Sequence, residues 1–224
     1  MITRRTFMGA AAGTGLLVLA DGALVPGSAA AAPTDRRWSR DRSANGWRIA
    51  PAAIGTHRIQ GTTAKVALHT AAASVLLHVA RRWHYEIAPL DTGEGGGVTG
   101  HTTSRVIGAD FESNHLSGTA IALHPTAYPL GGSERLWPHQ EAVVRDILAD
   151  CEGIVTWGAD LTPVKASHFH LNAGPGSRAL AKVATRLDTS RHSEFRTQTA
   201  GAVADPATPA RLAKSRRVQR IRTR

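Results

Sequence analysis

A single cysteine, Cys151, stands in 224 residues, so no intrachain disulfide can form. Whatever this chain folds into must be held by packing, with or without a metal. The constraint matters because the N-terminus, MITRRTFMGAAAGTGLLVLADGALVPGSAAAAP, reads as an export signal into an oxidising compartment. Arg4 and Arg5 precede Phe7 and a short, weakly apolar run that ends in small residues suited to cleavage. Paired arginines point to twin-arginine export, which carries proteins already folded; a retained membrane anchor is the alternative. Residues 1–30 are therefore set apart from the fold, and the expected location is secreted or cell envelope. Cys151, at the end of a helical pattern, reads as a small buried hydrophobe rather than a nucleophile.

The net charge of +10 is unevenly placed. Residues 206–224 carry seven basic side chains and no acid, and the body between signal and tail is close to neutral. A detachable basic tail suits an anionic wall polymer or a membrane surface, with plain solubilisation as the alternative. No nucleic-acid partner is expected. The spacing predicts 31–60 as a polar linker or arm, 61–187 as the folded domain and 188–224 as a disordered tail.

Within the domain, Leu68, Ala72, Val75, Leu76 and Val79 recur at helical spacing, which predicts a helix from Thr63 to about His84. The glycines of DTGEGGGVTG predict a flexible loop, and TAIAL a buried strand. In WPHQEAVVRDILADCEG, Pro138 fits a first helical turn and Gly153 a stop. GIVTWGAD and ASHFHLN read as strands, and PGSRALAKVATRL as a last helix. This order argues α+β, with a small antiparallel sheet packed against helices.

Eleven histidines raise the question of a metal. His168 and His170 lie two apart on a strand and project to one face. His115 opens a loop into another strand, and His124 follows Ala122 by two residues. Catalytic zinc takes three protein ligands and leaves a position for water. A histidine-based zinc site is one reading; structural or surface histidines are the other.

The blocks SNHLSGTAIALHPTAYPLGG, ILADCEGIVTWGADL and SHFHLN, in that order, resemble the zinc D-alanyl-D-alanine carboxypeptidases of VanY type. These are relatives of the D-Ala-D-Ala dipeptidases and of phage L-alanyl-D-glutamate endolysins. The resemblance covers roughly residues 63–187 and implies a Hedgehog-like, DD-peptidase-like fold, a zinc cofactor and peptidoglycan stem peptides as partners. In the family's S-x-H-x-x-G-x-A-x-D frame, Ser113, His115, Gly118 and Ala120 match, so His115 takes the first zinc-ligand position. His168 falls on the last one. The resemblance implies that Arg105 holds a substrate carboxylate, with a fold-stabilising surface ion pair as the alternative, and that Ser113 and Trp157 line the substrate groove. Trp157, Gly158 and Asp160 match a W-G-G-D segment, with Ala159 in place of a glycine.

Two departures change the expected chemistry. The family's aspartate ligand is Ala122, which has no donor atom, and its acid/base position is Lys165. An ordinary lysine is protonated at neutral pH and cannot take a proton from a zinc-bound water. His124 or His170 is the possible replacement for the ligand lost at Ala122. Asp110, Glu112 and Asp160 are the nearest candidates by sequence for a catalytic carboxylate base, with solvated or structural roles as the alternative. Three functions follow: a divergent zinc carboxypeptidase with reduced activity, a catalytically silent wall-peptide or partner binder, and a non-catalytic exported metal-binding protein.

Overall fold

The computed structural model describes residues 35–188, with the isolated positions 209, 213–214 and 216–217. The segment expected to be an export signal and most of the basic tail lie outside the described residues.

The segment expected to be one helix from Thr63 divides in two. Lys65–His69 is a strand, β3, and only Thr70–Glu86 is helical, α1. The strand follows from a period of two that the helical spacing overlaps: Val66 and Leu68 are buried while Lys65, Ala67 and His69 are not. It pairs antiparallel with Ile54–Arg58, β2, from Ile54↔His69 to Arg58↔Lys65. His69 then starts the helix, its Nδ1 accepting the Ala71 N–H at 3.1 Å. Ala72, Val75, Leu76, Val79 and Trp83 form the buried face of α1.

The stretch read as a linker also belongs to the fold. Arg36–Arg37, β1, pairs with Val106–Ile107, β5, and β2 comes from the same stretch. Trp38, Trp47 and Ile59 are buried. Polar bonds fasten this arm. Asn45 Nδ2 donates to Leu171 O at 2.7 Å and to Thr119 Oγ1, while Ser43 Oγ meets Ser117 Oγ at 2.8 Å. Its polar composition hid these anchors, since side-chain bonds to distant residues leave no local periodicity.

The central sheet has the order β4–β6–β8–β7, all antiparallel. Its strands are Val98–Thr99 (β4), Ala120–Leu123 (β6), Val155–Trp157 (β7) and His168–Leu171 (β8). β4 takes the end of the glycine-rich segment that was expected to be loop throughout. Ile121, Leu123, Phe169 and Leu171 join the hydrophobic core with α1, with Trp83 edge-on to Phe169 at 5.8 Å. Alternation puts Ala120, Ala122, His168 and His170 on the opposite face, paired as Ala122↔His168 and Ala120↔His170.

Pro138–Asp150, α2, and Arg178–Leu187, α3, complete the architecture. Val144, Ile147, Leu148 and Cys151 are wholly buried, and burial pushes the Cys151 thiol pKa far up. Arg82 on α1 ties to Asp146 and Asp150 on α2, at 2.8 and 3.0 Å. The protein is α+β, with small antiparallel sheets and packed helices.

Candidate functional site

A 3-10 turn over Asp110–His115 leads through Gly118 into β6. Gly118 has φ +67°, and a Cβ there would stand 2.6 Å from the His69 backbone nitrogen. Only glycine allows the loop this close to β3. A second glycine has the same duty across the sheet. Any Cβ on Gly158 would collide with the Lys165 carbonyl. With that space open, Lys165 N–H reaches Gly158 O at 3.0 Å and His168 N–H reaches Lys165 O at 2.9 Å. This pair of bonds fixes Lys165 just ahead of β8.

Three histidines form a hydrogen-bonded chain. His115 Nδ1 lies 2.8 Å from Gly100 O, His115 Nε2 lies 3.2 Å from His168 Nδ1, and His168 Nε2 lies 3.1 Å from His170 Nδ1. A carbonyl can only accept, so His115 carries its proton on Nδ1 and offers its Nε2 lone pair. His168 must then donate from Nδ1, and His170 likewise donates to His168 Nε2. One carbonyl thereby orders the protons of three rings. Burial, then the Lys165 charge, holds His115 down to about 4. His168, wholly buried, is pushed well below the ordinary histidine range by burial and then by the neighbouring rings. Both are neutral at pH 7.

Beside His115 opens a cleft of about 260 Å³, with Thr99, Thr102, Glu112, Ala122 and Lys165 on its wall. Lys165 Nζ donates to Glu112 Oε1 at 2.5 Å, and Gly108 N–H donates to Glu112 Oε2 at 2.8 Å. Burial alone would raise the Glu112 carboxyl, but the Lys165 bond and charge and the Gly108 N–H together hold it below its ordinary value. Glu112 is thus an ionised acceptor with both oxygens engaged. Its proximity to Lys165 was not legible in sequence, because the two lie 53 residues apart.

The residues present do not make a resident zinc site. His115 Nε2 and His168 Nδ1 stand at a separation that two ligands of one ion could have, but a third donor is missing. Ala122, directly across from His168, brings only a methyl group. His124 accepts from Trp83 Nε1–H at 3.0 Å and donates from Nε2 to Pro89 O at 3.0 Å, so both nitrogens are committed to the core. His170 stands behind His168 rather than beside it, on the ring nitrogen opposite the one that faces His115. Among the described residues no group of three or more His, Cys, Asp or Glu side chains is arranged to hold a metal ion.

The remaining sequence candidates have structural partners. Arg105 Nη1 donates to Trp38 O at 3.2 Å and Arg40 O at 2.9 Å, which ties down the N-terminal arm. Ser113 is fully buried, donating to Asp110 O at 2.6 Å and accepting from Ala44 N–H at 2.8 Å. Asp160 is gripped by both terminal nitrogens of Arg145, at 2.5 and 2.6 Å. Asp110 pairs with Arg36. Trp157 donates to Ala166 O at 2.6 Å, stacks on Phe169 and receives Arg145 4.7 Å above its ring. Of the predicted set, His115, His168, His170, Ala122 and Lys165 gather at one place, and Glu112 joins them. The arm residues Ser43 and Asn45, which brace the loop behind the site, were missed. Their one sequence signal is the Asn45-Gly46 turn.

In comparisons with protein families, curated proteins and solved structures, nothing matches this chain.

Proposed function

We propose that this is a non-hydrolytic peptide-binding relative of the VanY-type carboxypeptidases it resembles, with a Hedgehog-like domain that takes wall stem peptides in the cleft beside His115. One observation carries the reading: the Lys165–Glu112 ion pair stands on the same cleft wall as Ala122. Peptide hydrolysis needs a base for the attacking water. At the position where the family has its carboxylate, Lys165 already donates to the neighbouring acid. Glu112, the nearest alternative base, has both oxygens occupied and its basicity lowered. What persists is a groove with hydroxyl groups from Thr99, Thr102 and Ser104 and apolar surface from Val106 and Ile107. Such a lining suits a short peptide with small side chains. The twin-arginine signal supports a place outside the membrane, where stem peptides are found, and the basic tail suits anionic wall polymer.

The test is calorimetric titration of the full chain with a D-alanyl-D-alanine-terminated tripeptide, alongside an assay for released D-alanine with zinc added. Saturable binding without release is the expected result. Release of D-alanine at enzymic rates overturns the silent reading, and no binding overturns the reading altogether.

A further inference from the structure

A second cleft, of about 350 Å³, is lined by β2, by α1 and by the end of α3, and shares no lining residue with the one beside His115. Its polar wall is unusually rich in donors that the fold leaves unused. Arg58 spends only Nε, on Thr62 O at 2.7 Å, so both terminal amino groups of its guanidinium remain available. Gln60 accepts from Arg81 through Oε1 at 3.0 Å, which leaves its amide NH₂ to donate. Thr70 and Ser74, one helical turn apart on α1, have hydroxyls with no partner among the described residues. His57 Nε2 is buried without any hydrogen bond, the one side-chain atom of that kind among the described residues.

A buried polar atom without a partner is costly, and native folds keep few of them. Here the orphan belongs to the wall of the larger of these two clefts, beside four more unused donors. Thr70 is also the first residue of a 17-residue helix, whose N-terminal end carries partial positive charge. Asp188 is the one acid among the lining residues, and Arg81 adds a second guanidinium to the wall. Donors in excess, a net positive wall and a helix start all favour the same ligand chemistry.

From this convergence we infer that the cleft between β2 and α1 is a binding site for a phosphate group carried on a small molecule. The guanidinium of Arg58 takes two phosphate oxygens side by side. The hydroxyls of Thr70 and Ser74 donate to the third, and the imidazole of His57 turns its Nε2–H to the same group. The site is independent of the peptide cleft and of any reading of it.

The full chain is titrated with inorganic phosphate and, separately, with glycerol phosphate, with binding read by calorimetry and the imidazole signals of His57 by NMR. Saturable binding with a shift at His57 is expected, weakened at least tenfold in Arg58→Met and in Ser74→Ala. The Lys165→Met variant should bind as the parent does. Tighter binding of glycerol phosphate assigns the site to phosphate esters, and tighter binding of the inorganic ion assigns it to free phosphate. Binding that survives both cleft variants unchanged would place the anion on the basic tail and overturn the proposal. So would the lack of saturable binding by either ligand. Circular dichroism of Arg58→Met separates lost binding from lost fold, since that side chain is exposed.

Discussion

Lys165 Nζ and Glu112 Oε1 lie 2.5 Å apart, with both side chains about one-seventh exposed. The pair is sheltered enough that removing one charge leaves the other poorly solvated. Glu112→Gln should therefore lower stability by about 2 kcal/mol, less than for a fully buried pair. The double variant Glu112→Gln, Lys165→Met should lose less than the two single losses combined. Urea unfolding of the four proteins measures this, and additive losses would show that the ions do not interact. The folded carboxyl is depressed, so its contribution is present above the ordinary value of 4.5 and disappears as pH falls through the lowered folded value.

Acid should weaken the fold earlier through the histidines. Their folded values are lowered, so below 6.5 the unfolded chain binds protons that the folded chain refuses. Stability is full above pH 6.5 and falls as pH drops toward 4, where His115 begins to accept its proton in the folded state. Replacing His168 with Asn should flatten this slope, whatever it does to stability at pH 7. The check is the urea midpoint of both proteins at intervals between pH 7 and pH 4; equal slopes would contradict the assignment.

His124 should prove to be a core residue. His124→Ala strands the Trp83 indole N–H inside the hydrophobic cluster and removes the bond to Pro89 O. The expected loss is about 2–4 kcal/mol, from an unsatisfied donor plus a cavity. The alanine would also inherit φ +52°, a strained backbone for it. Thermal unfolding reads the loss, and zinc uptake should be the same as in the parent.

Arg105 is expected to act on the arm rather than on a ligand. Arg105→Ala removes two bonds to the carbonyls of Trp38 and Arg40. Its stability cost should be about 1–2 kcal/mol. Limited proteolysis should cut within residues 35–48 several times faster, while affinity for a D-alanyl-D-alanine peptide stays within twofold. A large loss of affinity with unchanged proteolysis would return Arg105 to the carboxylate role.

The double variant Ala122→Asp, Lys165→Glu supplies the missing donor and a carboxylate base. It should retain stoichiometric zinc through dialysis, where the parent does not, and show D-alanine release above the parent's. His168 can join such a site only by moving its proton to Nε2, which requires His170 to move its own proton off Nδ1 so that it can accept. No gain in zinc by metal analysis would mean that more than those two positions has changed.

The sequence shows clearly what local periodicity controls. α2, with Pro138 at its start and Cys151 buried at its end, was legible, as was the shared face of His168 and His170. β3 was not, because Leu68 fits both a strand of period two and the helix that follows. His124 looked available because its partners, Trp83 and Pro89, lie 41 and 35 residues away. Asn45 and Arg105 misled for a related reason. Arg105 donates to two backbone carbonyls, and Asn45 donates to one carbonyl and to the distant Thr119 hydroxyl; such partners have no signature in the sequence.

The Gly100 carbonyl gives the three-histidine chain a property that no single ring has. Because each ring donates through Nδ1, and His115 and His168 accept through Nε2, the protons are ordered like a row of arrows pointing one way. No ring can turn its arrow alone without setting two protons, or two lone pairs, against each other. A ligand that draws off the His168 Nδ1 proton therefore turns the arrow of His170 as well, two residues along β8. An event in the cleft is thus readable at His170, on the far side of His168 from the cleft.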